Sequence, residues 1–300
     1  MTPKRRPLSL WIRWIGTLLS LGLFLWLVAR LNWSVVGTQL AGLALWAVLL
    51  AILFYLLSQA FNTLRWCALL WAHNVNITFW QAFRITWSGI FASNFLPSTI
   101  GGDGLRMAAV YPYAKSKTVA VGSVALDRII NMAAMTCLLP LPILMFGPKL
   151  NALLALALPF NPRALAEKYF PKIMAAVREW ANRPQAFVWA FLVAWPSNLT
   201  AMFATWLIAR GLGMEMSFWQ VAAVQTVTYF LAVLPISVNG YGLREVTYST
   251  LFIALGASLE QASALAVITR FLIVLVTIPG AIWVSQIAAD VVEKDLQSGA

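Results

Sequence analysis

Four arginines occupy strongly apolar surroundings: Arg106 in Gly-Asp-Gly-Leu-Arg, Arg128 in Leu-Asp-Arg, Arg244 in Gly-Tyr-Gly-Leu-Arg and Arg270 in Ile-Thr-Arg. A charge at the centre of a spanning helix costs roughly 2.5–3.5 kcal/mol even on the lenient insertion scale, so each needs a counter-charge or a ligand. Asp103, Asp127 and Glu245 are nearby, and three carboxylates cannot neutralise four guanidiniums. The surplus suits an anion, and the planar guanidinium fork suits phosphate. Gly102 and Gly104, with Gly240 and Gly242, break the chain just before Arg106 and Arg244. Helices restarting there would aim bare N–H groups at the same point.

Other chemistries find little support. Cys67 and Cys137 sit in apolar sequence without CxxC spacing and read as ordinary buried thiols, so neither a disulfide framework nor a thiolate metal site is indicated. His73 is the only histidine, which leaves no imidazole pair for a metal and a poor basis for Ser-His catalysis. No GxxxxGK[ST] loop occurs. No catalytic residue, metal or cofactor is therefore expected. Asp103, Asp127 and Glu245 could act as acid and base, but as partners of arginine they stay ionised.

The same residues have plainer readings. Arg128 beside Asp127 makes a structural ion pair between helices. Arg106 and Arg244 snorkel to the interface. The glycines only permit tight turns and close helix packing. Arg13, Arg84 and Arg210 fall near span ends and read as interfacial anchors.

What positions these groups is an internal repeat. Phe95 to Arg106, Phe-Leu-Pro-Ser-Thr-Ile-Gly-Gly-Asp-Gly-Leu-Arg, returns at Val233 to Arg244 as Val-Leu-Pro-Ile-Ser-Val-Asn-Gly-Tyr-Gly-Leu-Arg. Upstream, Thr78-Phe79-Trp80-Gln81 recurs as Ser217-Phe218-Trp219-Gln220. Downstream, Val124 to Ile130 is echoed by Ala266 to Leu272, which matches Arg128 with Arg270.

Sixty-one per cent hydrophobic and ten per cent charged residues describe a polytopic membrane protein rather than a soluble one. Fifteen tryptophans fit the headgroup interface. The net charge of +11 belongs largely beside apolar spans, where it sets topology and meets anionic lipid, so nucleic acid is not an expected partner.

The expected fold is all-α, with about six full spans and two opposed re-entrant helical hairpins in an inverted repeat. Residues 1–39 form an anchor helix and outer loop. Its apolar run from Leu10 to Ala29, about 30 Å as a helix, follows Lys4, Arg5 and Arg6 and reads as a retained span. Residues 40–139 form the first repeat, a span at Leu40 to Leu57, a cytoplasmic segment holding Arg65, His73 and Arg84, a hairpin, and a span at Thr118 to Leu139. The hairpin tip is where Gly101-Gly102-Asp103-Gly104 breaks the helix. Residues 140–185 hold a connecting span, Leu141 to Phe160, and a basic cytoplasmic segment, Arg163 to Arg183. Residues 186–289 form the second, inverted repeat with a bend at Pro279-Gly280, and 290–300 a polar tail. Lysine and arginine placement puts both termini in the cytoplasm.

Leu96 to Arg106, with Leu126-Asp127-Arg128 and Leu234-Pro235 through Gly242-Leu243-Arg244-Glu245, resembles the flippase-like membrane domain of lysylphosphatidylglycerol synthases, the multiple-peptide-resistance-factor type, in its stand-alone form. The similarity runs from about Leu40 to Ala289. It implies a bacterial inner-membrane protein that moves or handles lipid. Only eleven polar residues follow Ala289, so the soluble aminoacyl-transfer domain of a full synthase is expected to be absent. Asn239 and Tyr241 depart from the smaller residues expected in the second motif.

The expectation is a lipid translocator in which Arg106, Arg128, Arg244 and Arg270 bind an anionic headgroup. Two other readings stay open. One is a non-transporting accessory subunit that presents lipid to a membrane synthase partner, and the other is a membrane-embedded lipid-modifying transferase.

Overall fold

The computed structural model describes residues 42–95, 99–114, 116–147, 180–233 and 243–284, with Gly37, Met174 and Arg178 as isolated positions. Among them the secondary structure is entirely helical: α1 Leu45–Ala72, α2 Phe79–Phe95, α3 Thr99–Ala114, α4 Lys117–Thr136, α5 Pro140–Phe146, α6 Pro184–Gly211, α7 Phe218–Val233, α8 Leu243–Ala254 and α9 Leu259–Thr277. Four of these, α1, α4, α6 and α9, are long and apolar enough to cross a membrane. Large apolar side chains on their outer faces stand open, Leu45 at 71 %, Trp189 at 64 % and Phe271 at 64 % exposure, as lipid contact requires. The expected first span at Leu10 to Ala29 lies outside the described residues.

The centre of the molecule is the pair α1 and α6, each 28 residues long. They run antiparallel. Gly211 at the end of α6 faces Leu43 and Ala47 at the start of α1, while the Trp180 indole before α6 donates to the Leu69 carbonyl near the end of α1 (3.0 Å). Midway along both, the Ser58 hydroxyl donates to the Ser197 carbonyl (2.8 Å) and the Ser197 hydroxyl donates to the Ser58 carbonyl (3.2 Å). Reciprocal bonds at the midpoints of two equal antiparallel helices define a local two-fold axis perpendicular to both.

Each long helix is followed by a shorter helix pair and then another span-length helix. The first helix of each pair opens on the same device. Gln81 Oε1 accepts from the Thr78 amide while Thr78 Oγ accepts from the Gln81 amide, and Ser217 with Gln220 does the same. The repeated Thr/Ser-Phe-Trp-Gln motif is thus a capping box, with the aromatic pair placed in the first turn. Ser258 and Gln261 start α9 the same way.

Several expectations need correction. The helix does not break at Gly101 to Gly104; α3 runs unbroken from Thr99 to Ala114. Each helical glycine costs only about 1 kcal/mol relative to alanine, whereas an unpaired backbone group in hydrocarbon costs several. Gly102 is instead a packing residue, since a Cβ there would collide with the Gly89 carbonyl and the Ser93 hydroxyl of α2. Gly104 has open space beside it. No restarting half-turn follows Gly104, because α3 is continuous through it, and residues 96–98 lie outside the described residues. Gly240, Gly242, Asn239 and Tyr241 lie outside the described residues.

The first-repeat span does not end at Leu57. α1 continues to Ala72, so Arg65 lies within this span-length helix, its side chain buried, rather than in a segment that follows the span. Arg84 likewise rides on α2, its guanidinium 5.7 Å from the Trp283 ring centre. His73 closes α1 and stacks on Trp180, ring centres 4.1 Å apart. At the start of the Leu141 to Phe160 segment, α5 ends at Phe146, where Gly147 takes φ 45°, and 148–160 lie outside the described residues. Cys67 is buried as expected, but Cys137 is exposed. α9 ends at Thr277 and the chain is helical again over 279–284, and Ile278 between them keeps helical backbone angles (φ −49°, ψ −42°).

Candidate functional site

α4 carries Asp127 and Arg128 side by side, and the structure does not pair them. Adjacent residues on a helix point about 100° apart, so each side chain finds a different partner. Asp127, 2 % exposed, accepts from Arg65 Nε on α1 (2.7 Å) and from Arg106 Nη2 on α3 (3.1 Å). Arg128 turns the other way and grips Asp103 with both arms of its fork, at 2.9 and 3.0 Å. The ion-pair reading of Arg128 therefore survives with Asp103 in the place of Asp127. Arg106 does not snorkel: it is 6 % exposed, also lies 3.8 Å from Asp103, and sits over the Trp66 ring at 4.3 Å.

The remaining donors of Arg65 are also satisfied, by Asn62 Oδ1 and Asn131 Oδ1, both at 2.6 Å. Asn131 ties this network to the second half of the chain. Its carboxamide donates to the Tyr229 hydroxyl on α7 (3.1 Å) and accepts from Asn198 on α6 (3.1 Å). Arg65, Asn131 and Tyr229 were not singled out from sequence. The available signal for Arg65 was helical spacing: Ser58, Asn62 and Arg65 fall four and three residues apart and share one face of α1.

The second half is poorer in acid. Glu245 on α8, 1 % exposed, lies 3.5 Å from Arg270 Nε on α9. Arg244 makes no ion pair among the described residues and stands 5.2 Å from the Tyr248 ring centre.

A cavity of about 320 Å³ lies between the halves. Arg128, Arg244 and Arg270 all line it, with Gln225 and Tyr229 from α7 and Tyr55 from α1. Three of the four expected arginines are thus brought to one space. Arg106 is not: it stands behind, with Asp127, and no side of the cavity is formed by Asp103, Asp127 or Glu245. These carboxylates orient guanidiniums rather than face a ligand. Counting Arg65, five arginines of the cluster meet three carboxylates among the described residues.

The sequence profile of the lysylphosphatidylglycerol synthase TM region matches residues 13–280. The chain belongs to this family. A UPF0104 membrane protein of Pyrococcus horikoshii is 23% identical, over 75% of this chain and 82% of that protein. Membership in the lysylphosphatidylglycerol synthase TM-region family agrees with the resemblance carried by the Leu-Pro and Gly-Leu-Arg motifs, and it makes this a multi-pass membrane protein whose role concerns membrane lipid. The match extends to the amino-terminal side of α1, beyond the Leu40 at which the motif resemblance begins.

Proposed function

We propose that the protein is a lipid translocator of a bacterial inner membrane, not an enzyme, and that Arg128, Arg244 and Arg270 bind the phosphate of an anionic lipid headgroup while its acyl chains stay in the bilayer. The convergence of those three guanidiniums from both halves of the chain on one cavity carries this reading. The main barrier to flipping is the desolvation of the headgroup charge, and a guanidinium-lined chamber at membrane depth lowers it. The local two-fold of α1 and α6 supports an inverted repeat, the architecture through which one site is reached alternately from either face. In this reading the helix pairs α2–α3 and α7–α8 are re-entrant, and the basic amino-terminal residues Lys4, Arg5 and Arg6 hold both termini in the cytoplasm. Acid–base catalysis by Asp103, Asp127 or Glu245 is disfavoured because a guanidinium lies against each one.

The test is a flip assay on the full chain in liposomes carrying a fluorescent anionic phospholipid. The Arg244→Gln variant, which loses no ion pair among the described residues, is expected to fold and to lower the rate by about tenfold or more, the scale of a charge-assisted hydrogen bond. Wild-type rates in the variant overturn the proposal. So does purified wild-type protein that flips nothing, and a stable membrane synthase co-purifying with it would then favour the accessory reading.

A further inference from the structure

A second, smaller cavity of about 70 Å³ lies among α1, α6, α7, α8 and α9. Its walls acquire a meaning when the two halves are matched. In the first half Arg65 and Arg106 hold Asp127 between them, and Asn62 and Asn131 accept the other bonds of Arg65. The 139-residue separation of Ser58 and Ser197 carries Asn62 to Ala201 and Arg65 to Ala204. The Gly-Leu-Arg motif carries Arg106 to Arg244, and the register that matches Arg128 with Arg270 carries Asp127 to Thr269 and Asn131 to Ile273. All five counterparts line the small cavity. It therefore occupies the place that the Arg65–Asp127 ion pair fills in the other half, opened by shorter or apolar side chains.

One charge is kept there. Arg244 makes no ion pair among the described residues and stands by the Tyr248 ring, whereas its counterpart Arg106 has Asp127 at 3.1 Å. Glu245 lies 3.5 Å from Arg270, and no carboxylate is among the described residues lining the small cavity. A guanidinium withdrawn from water is stabilised by an anion against it.

Neutral donors share the space. Gln225 lines it, and its Nε2 is buried with no hydrogen-bond partner among the described residues. A buried donor left unmade is costly, so this position favours an occupant that accepts. Tyr55 brings a hydroxyl. The Thr205 and Thr269 hydroxyls already donate to the Ala201 and Leu265 carbonyls of their own helices (3.3 and 2.7 Å), so they shape the wall without adding donors. A liquid water molecule takes about 30 Å³, so the cavity has room for a small ion and not for a lipid headgroup.

We infer that this cavity binds a small monovalent inorganic anion of the chloride class, with Arg244 as its counter-charge and Gln225 and Tyr55 as donors. The ion does for Arg244 what Asp127 does for Arg106. Its binding needs no lipid, so it stands or falls apart from the headgroup reading.

Equilibrium binding of radiolabelled chloride to the full chain in neutral detergent, with gluconate holding ionic strength constant, tests this directly. Saturable binding of a single ion per chain, displaced by bromide and not by gluconate, is expected. Exchange of gluconate for chloride should also raise the unfolding midpoint by about 2–4 °C. Thr269→Asp puts a carboxylate where Asp127 stands in the first half and should abolish chloride binding. Gln225→Leu, which leaves Arg244 in place, should weaken it by about tenfold, the loss of one hydrogen bond to a charged group. If Thr269→Asp does not fold, Gln225→Leu decides. Absence of saturable chloride binding to the wild type overturns the inference. Binding of wild-type strength in the variants also overturns it, because the ion then sits elsewhere.

Discussion

The two halves of the chain carry matching arginines and surround them with different partners. In the first half, Arg106 and Arg128 both end on aspartates, and Arg65 joins from α1 to share Asp127. In the second half the position matching Asp127 is Thr269, whose hydroxyl folds back onto the Leu265 carbonyl of its own helix (2.7 Å). The position matching Asp103 is Tyr241. At the separation that relates Ser58 to Ser197, 139 residues, the counterpart of Arg65 is Ala204. One copy of the repeat has become a strut whose charges satisfy each other. The other has less acid: Arg270 lies 3.5 Å from Glu245, and Arg244 makes no ion pair among the described residues. A repeated motif therefore need not repeat its partners: Asp103 and Asp127 serve the first copy, and among the described residues Glu245 serves the second.

The sharpest way to break this comparison is Asp127→Asn against Thr269→Val. Removing Asp127 leaves Arg65 and Arg106 buried around a neutral group, which should lower stability by about 3–5 kcal/mol. Thr269→Val should change it by about 1 kcal/mol or less, since the lost bond is local. Thermal unfolding in detergent, followed by size-exclusion chromatography, reads both, and similar losses would dissolve the distinction between strut and site.

Next in size are the matched arginines. Arg106→Gln should cost about 2–4 kcal/mol by stripping Asp127 of one of its two partners, while Arg244→Gln, with no ion pair to lose, should cost about 1 kcal/mol or less. The same melting measurement decides, and an Arg244→Gln variant less stable than Arg106→Gln would invert the assignment.

Within the first half, Gly102→Ala should cost about 1–3 kcal/mol by forcing α3 away from the Gly89 carbonyl, whereas Gly104→Ala should be neutral or slightly stabilising because it adds a methyl to open space on a helix. Equal melting temperatures would mean that α2 and α3 are not packed closely at Gly102.

The smallest effect sharpens the symmetry itself. Ser58→Ala and Ser197→Ala each remove one of two reciprocal bonds and should each cost about 0.5–1.5 kcal/mol. The two losses should agree closely, and a marked inequality would show that the two-fold of α1 and α6 is only approximate.

Much of this was open to a reader of the sequence. Composition and the long apolar runs require a helical membrane protein, because a chain without enough polar surface for water must satisfy every backbone group internally in lipid. Repetition of the Leu-Pro and Gly-Leu-Arg motifs identifies two related halves, and buried charge in apolar sequence marks Arg106, Arg128, Arg244 and Arg270. Tertiary structure alone decided which carboxylate each of these arginines meets and which of them line the cavity. Asp127 and Arg128 are neighbours in the chain and strangers in space, while Arg65 reaches Asp127 across 62 residues. Ion pairing between helices depends on their relative rotation and approach, and no local pattern specifies either.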